Sequence, residues 1–208
     1  MTSPEWDLVV LVADADMEAG VQSLLRRNQP SYSGFTFKIF PHPNKDPGCR
    51  IEAHNFLRPF SNKASHAMVL FDYHGSGMEK FSRQEVEQEV EKRLECSGWK
   101  GRCAVIAISP ELENWVWSNS PEVDRILGWQ GRSPGLREWL KDKGLWGDTD
   151  KPADPKEAYR RCLREAKKAW SPSLFAALAS SVSFNRCKDP SFLKLKNTLA
   201  EWFAPPEP

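Results

Sequence analysis

The stretch Ala67-Met-Val-Leu-Phe-Asp72-Tyr-His74-Gly-Ser-Gly77 constrains this chain more than any other. An unbroken apolar run ends abruptly in an acid, and a histidine and two glycines follow at once. A continuous run of that length reads as a strand buried on both faces, the ordinary condition inside a parallel sheet. Ligands of open parallel sheets bind beyond the carboxyl ends of the strands. Asp72 is therefore expected at the functional edge of the fold, with Gly75 and Gly77 letting the backbone turn sharply beside it.

The residues around this strand predict a repeating pattern. Residues 6–13 form a first apolar strand that runs into Asp14, Asp16 and Glu18. Asp16 is expected to cap the helix that follows, whose apolar stripe is Met17, Val21, Leu24 and Leu25. A turn is expected over 28–34. Phe35, Phe37 and Ile39 then alternate with Thr36 and Lys38, which predicts a strand at a sheet edge or with one face less deeply buried. Residues 41–48 are dense in turn formers and read as a loop, followed by a helix over 51–60. After the central strand, Ser82 stands three residues before Glu85, the spacing of a capping box, at the head of a helix that reaches Cys96 with Val86, Val90 and Leu94 on one face. Residues 103–108 are the fourth apolar run. Strand and helix alternate, so the expectation is a parallel sheet with right-handed crossovers.

Strand signals vanish after Ser120. Residues 135–141, 155–168, 173–181 and 189–203 read as helices, and 204–208 as a frayed tail. The predicted architecture is α/β, with a roughly four-stranded, mostly parallel sheet and flanking helices in residues 1–119. A helical extension over 120–208 packs on it.

Composition narrows the function classes. The net charge is +1, with 27% charged and 40% hydrophobic residues in 208, so no global field draws the chain to nucleic acid or anionic lipid. No apolar stretch approaches membrane-spanning length, and residues 8–13 are too short for a signal-peptide core. The five cysteines lack the tight pairs of a zinc site. They read as reduced thiols in a cytoplasmic protein. There is no phosphate-loop G-x-x-x-x-G-K-[ST], no G-x-G-x-x-G after a strand and no G-x-S-x-G elbow, which removes support for three enzyme classes. The nine tryptophans predict extensive core and interface packing.

Acids follow three of the four strands: Asp14 and Asp16, then Asp72, then Glu111 and Glu113. In a parallel sheet they would all project from one edge and repel one another. A divalent cation relieves such repulsion, and Mg²⁺, or Mn²⁺, suits a few carboxylates plus water and substrate phosphate. That is the arrangement used for metal-assisted phosphodiester chemistry. Acids at helix starts also serve as caps, a reading that stays open for Asp14, Asp16 and Glu111. Trp115 and Trp117 are placed to wall Glu113 from solvent. His74 is a candidate ligand, acid–base group or phosphate contact, or else a loop histidine bonded to backbone. His42, His54 and His66 lack partners at ligand spacing and read as structural. Lys151 and Lys156 flank Pro-Ala-Asp-Pro and could fold back onto a phosphate, or lie in a solvated loop. Arg160, Arg161, Arg164, Lys167 and Lys168 form a basic run that is either a nucleic-acid contact or a solvated helix face.

Taken together these residues resemble a TOPRIM-type domain. That family pairs an acid after its first strand with Asp-x-Asp after a later one, and the cluster holds Mg²⁺ for phosphodiester chemistry. Here Asp14 stands in place of the first glutamate, and Asp72-Tyr-His74 in place of Asp-x-Asp; both are departures from the pattern. The segment 110–115 resembles a motif after the last sheet strand in TOPRIM-like proteins of uncharacterised bacterial families. Residues 12–18, 54–60, 110–118, 151–158 and 189–195 are similar to a bacterial family of this size associated with methylation-linked phage-defense systems, which are multi-protein and include a DNA methyltransferase. The resemblance implies a defense role among other defense-system proteins. The expected function is thus a Mg²⁺-dependent, nuclease-like centre of Asp72, Asp14, Asp16, Glu111 and Glu113, with His74 assisting. Asp72, His74 and Glu113 would be catalytic, and Lys151 and Lys156 would meet the phosphate of DNA or RNA. The alternatives are a non-catalytic subunit that binds a partner protein through its tryptophan-rich half, and a nucleic-acid-binding module using the basic run.

Overall fold

The computed structural model describes residues 4–28, 34–182 and 187–205. Four strands, β1 (Trp6–Val12), β2 (Phe37–Pro41), β3 (Ala64–Asp72) and β4 (Cys103–Ile108), form one all-parallel sheet in the order β2-β1-β3-β4. Val10 sits opposite both Ile39 and Met68, and Asp72 opposite Ile108. Leu8 to Val12 and Ala67 to Phe71 are wholly inaccessible to solvent. Each large aliphatic or aromatic side chain so buried contributes about 1.5–3 kcal/mol, which explains why the two central strands carry no polar alternation.

The chain leaves β1 toward β2 through helix α1 (Ala15–Asn28) and returns past β1 to β3 through α2 (Lys45–Leu57). It reaches β4 through α3 (Arg83–Leu94). Right-handed crossovers then put α1 on one face and α2 and α3 on the other. The loops after β1 and β3 diverge, and the crevice between them is the switch point where α/β sheets take ligands.

The two edge strands solve their exposed backbone differently. β2 alternates, with Ile39 buried between half-buried and exposed neighbours, as expected for an edge. On β4 the outer N–H groups of Val105 and Ala107 donate to Glu91 Oε1 (3.0 Å) and Glu87 Oε1 (2.9 Å) on α3. Lys194 then bridges Glu87 Oε2 (3.1 Å) and Glu91 Oε1 (2.8 Å). Two carboxylates and an ammonium thus cover an edge that would otherwise template pairing with another chain.

The second half is helical among the described residues: α4 (Glu113–Val116), α5 (Pro121–Leu127), α6 (Leu136–Asp142), α7 (Pro155–Glu165), α8 (Pro172–Ser181) and α9 (Pro190–Phe203). α8 packs on α1, α9 on β4 and α7 on α4, so this half shares the core of the sheet. Tryptophan N–H groups act as pins. Trp170 Nε1 donates to Asp16 Oδ2 (2.6 Å), Trp117 Nε1 to the Pro155 carbonyl (3.0 Å), and Trp115 Nε1 lies 3.2 Å from Asp189 Oδ1 and 3.0 Å from Ser191 Oγ. All five cysteines are free thiols, and no helix among the described residues is long and apolar enough to cross a membrane.

Several local expectations need correction. The cap of α1 is Asp14, whose Oδ1 accepts the Met17 N–H at 3.0 Å; Asp16 is already inside the helix. Residues 45–48 are the first turn of α2 rather than loop. Pro47 is tolerated there because first-turn N–H groups need no helical partner. Gly48 is demanded by close approach, since a Cβ would lie 2.1 Å from His42 Nδ1. The predicted 51–60 helix ends at Leu57 and tightens into a 3₁₀ turn, Arg58–Phe60. The short helix α5 escaped the sequence reading, although Ser120 caps it and Gly128, in the left-handed region, ends it. The capping box of Ser82 and Glu85 is present as expected. Residues 29–33 of the predicted 28–34 turn, and 206–208 of the tail, lie outside the described residues.

Candidate functional site

Three loops build the site at the carboxyl edge. Asp72 ends β3, and the β4 loop is laid against it by backbone bonds: Tyr73 N–H donates to the Ile108 carbonyl (2.8 Å) and His74 N–H to that of Pro110 (2.9 Å). Leu112 N–H donates to Asp72 Oδ1 (2.8 Å), which orients that carboxylate. The Glu111 and Glu113 side chains then converge on it. One carboxylate oxygen from each of Asp72, Glu111 and Glu113 lies within 4.8 Å of the others. The third loop brings the first turn of α2, where Asp46 Oδ1 accepts the Asp72 N–H at 2.8 Å.

Burial makes this cluster electrostatically costly. At an effective dielectric of 20, two carboxylates 4.8 Å apart repel by about 3 kcal/mol. Burial, then repulsion from Asp46 and Glu113, holds the Asp72 carboxyl well above the usual range. Glu113 is 3% exposed; burial pushes its carboxyl up to about 7, with Glu111 and Asp16 adding to the effect and Lys156 opposing it. Burial also raises Asp46 and Asp16. Glu113 Oε2 is sequestered with no hydrogen-bond partner among the described residues. An unsatisfied buried acceptor costs about 1–3 kcal/mol.

Lys156 stands among these acids. Lys156 Nζ lies 3.1 Å from Glu111 Oε2, and it also offsets the charge of Asp72, Glu113, Asp46 and Asp16. Burial opposes its ammonium, but Glu113, Glu111 and Asp72 outweigh burial and raise its pKa. Lys156 belongs to the first turn of α7, positioned by the Asp154 cap (Oδ1 to Glu157 N–H, 2.8 Å) and by the Trp117 pin on Pro155. Above it opens a cleft of about 290 Å³ lined by His74, Glu111, Asp154, Lys156 and Arg160 among others. Its lining sets Lys156 and Arg160, the latter 2.7 Å from Glu157, among the carboxylates of Glu111, Asp154 and Glu157.

The donor set fits a divalent ion. Asp72, Glu111 and Glu113 each offer one carboxylate oxygen to such an ion. Glu113 Oε2 is an acceptor without a donor, as a ligand position would require.

The structure thus brings together Asp72, Glu111, Glu113, Lys156 and His74 from the sequence-derived set. Asp14 and Asp16 lie at the same edge but outside the triad, one capping α1 and the other held by Trp170. Lys151 turns away: its ammonium bonds the Asn114 carbonyl (2.7 Å) and lies 3.6 Å from Asp189. Sequence reasoning missed Asp46, because its segment reads as loop. Arg160 appeared only as part of a basic run, yet it lines the cleft. Trp117 walls the site indirectly, by fixing the start of α7. No protein-family model, curated protein or solved structure matches this chain.

Proposed function

We propose that this edge is a divalent-metal centre for phosphodiester chemistry, in which Asp72, Glu111 and Glu113 hold the ion, Mg²⁺ or Mn²⁺. The observation that carries the reading is the carboxylate triad with its unpartnered Glu113 oxygen, beside a cleft that Glu111 and Lys156 both line. The ion would supply charge neutralisation and polarise a phosphoryl oxygen. Lys156, Arg160 and His74 would bind and orient the phosphate, and Asp46 holds the Asp72 backbone in place. The TOPRIM-type resemblance supports DNA or RNA as substrate, and the separate resemblance of residues 12–18, 54–60, 110–118, 151–158 and 189–195 to a phage-defense family supports a defense assembly as the setting.

A second reading rests on the Lys156–Glu111 contact. Lys156 would be the permanent counterion of a metal-free cluster, and the chain a non-catalytic, partner-binding subunit. Calorimetric titration of Mg²⁺ and Mn²⁺, with and without oligonucleotide, separates the two. Binding by the wild type that Asp72→Ala abolishes, together with Asp72-dependent cleavage of DNA or RNA, supports the metal centre. No binding in either condition supports the counterion reading.

A further inference from the structure

The loop between β3 and α3 carries a feature that the metal centre does not use. Gly75 (φ +91°) and Gly77 (φ +78°) are both left-handed, and their N–H groups converge on one atom, Glu79 Oε1, at 2.8 and 3.3 Å. Successive backbone N–H groups arranged this way form a concavity for anions. Here the anion is the chain's own carboxylate. The N–H of Glu79 itself, then those of Gly75 and Gly77, with the His74 charge, hold that carboxyl below its ordinary value.

The concavity is built and open. Arg50 Nε donates to the Ser76 carbonyl at 2.6 Å, and Tyr73 Oη lies 2.9 and 2.5 Å from the carbonyls of Glu79 and Phe81. The loop is thereby pinned from both ends while Gly75, Gly77 and the Glu79 side chain stay exposed. A Cβ on Gly77 would meet nothing within 4 Å, so the space over it is free. On its inner side, a Cβ on Gly75 would lie 3.8 Å from Asp46 Oδ2, the carboxylate that touches the Asp72 backbone. His74, one residue before, lines the cleft beside Lys156 and Arg160. The concavity thus begins one residue along the chain from the cleft wall, at His74.

We propose that the Gly75–Gly77 backbone is a second phosphate-binding position, occupied in the resting protein by Glu79, which takes a phosphate of the substrate chain flanking the one in the cleft. This rests on the phosphodiester reading for the identity of the ligand, but the anion site itself needs no metal. Two phosphate positions flanking His74 would select a polynucleotide over a mononucleotide. The tethered carboxylate acts as a competitor: a site that is closed nine-tenths of the time binds its ligand about tenfold more weakly.

The test is amide NMR of the full chain in metal-free buffer, following the Gly75 and Gly77 resonances. Inorganic phosphate and an oligonucleotide, with and without a 5′-phosphate, are titrated into wild type, Glu79→Ala and Glu79→Gln. In Glu79→Ala the two amides should shift saturably, at about a tenth of the wild-type phosphate concentration or less. Glu79→Gln, which keeps the side-chain shape, should fall between. A response to oligonucleotide regardless of its 5′-phosphate identifies an internal backbone phosphate as the ligand; a response to inorganic phosphate or the 5′-phosphate alone restricts the site to free or terminal phosphate and overturns the flanking-position assignment. If neither variant's Gly75 and Gly77 amides respond to any of the three, the anion site is refuted. Because chelator is present throughout, that failure would leave the metal centre untouched.

Discussion

Glu113→Gln is the perturbation whose outcome the structure determines most directly. Glu113 is almost fully buried, and its carboxyl is raised from the ordinary 4.5 to about 7. The folded protein therefore binds a proton there that the unfolded chain has released. Stability from this group is fully present below pH 4.5 and is lost as pH rises to about 7, above which the deficit is constant. At 1.36 kcal/mol for each pH unit between the two values, the deficit reaches about 3 kcal/mol. Glutamine has the same shape and no charge to desolvate. Glu113→Gln should then be more stable than wild type by about 3 kcal/mol at pH 8, which is roughly 6–12 °C in Tm for a chain of this size. At pH 4.5 the two proteins should melt together. Thermal unfolding of both across that range is the assay, repeated with saturating Mg²⁺, which should raise the wild-type Tm and leave the variant unmoved. A Tm difference independent of pH, or a variant less stable at pH 8, would refute the electrostatic argument.

Three further outcomes test other parts of the molecule. Lys156→Met removes the ammonium set among the site's acids, so its loss of Tm should be larger at pH 8 than at pH 5, and divalent ions should restore it; calorimetry should show metal binding retained and oligonucleotide binding weakened. Lys151→Met should leave metal and oligonucleotide binding unchanged, whereas Asp189→Ala, which strips the partners of Asn114, Trp115 and Ser191, should cost roughly 3 kcal/mol in denaturant unfolding. Glu87→Ala leaves the Ala107 N–H without its acceptor; it should cost about 1–3 kcal/mol and increase concentration-dependent aggregation by light scattering, because the β4 edge is opened.

The fold was legible where burial dominates. Runs such as Leu8 to Val12 and Ala67 to Phe71 leave few alternatives to central parallel strands, and the alternation at Phe37 and Ile39 placed β2 at an edge. The carboxylates of β3 and of the β4 loop were legible for the same reason, since a parallel sheet must bring strand ends together. What failed depends on tertiary contacts. Residues 41–48 carry loop chemistry, and only the packing of His42 onto Gly48 turns them into a helix start; Asp46 was lost with that segment. Lys151 and Lys156 look equivalent in sequence. They diverge because the Trp117 and Asp154 contacts aim one at the acids, while Asn114 and Asp189 draw the other away. The Glu79 contact with Gly75 and Gly77 is likewise a matter of loop geometry that residue types alone do not reveal.

The chain contains its own control for whether the acidic cluster is structural. Asp189 is also a buried carboxylate with a lysine beside it. Its Oδ1 accepts from Ser191 N–H and hydroxyl, Phe192 N–H and Trp115 Nε1, and its Oδ2 from Asn114 Nδ2. Burial alone would raise its carboxyl, but these donors and Lys151 more than offset that, and it is lowered. That is how a carboxylate is buried for stability: both of its oxygens find donors. Glu113 has the opposite environment. Its Oε2 has no donor among the described residues, its neighbours Glu111 and Asp16 repel it, and its carboxyl is raised. Lys156 is set against the acids of Asp72, Glu111, Glu113, Asp16 and Asp46, and Lys45 acts on Asp16 as well. A cluster kept for stability would gain by exchanging Glu113 for an amide. The cost is explained if the cluster is completed by a cation that the polypeptide does not itself supply.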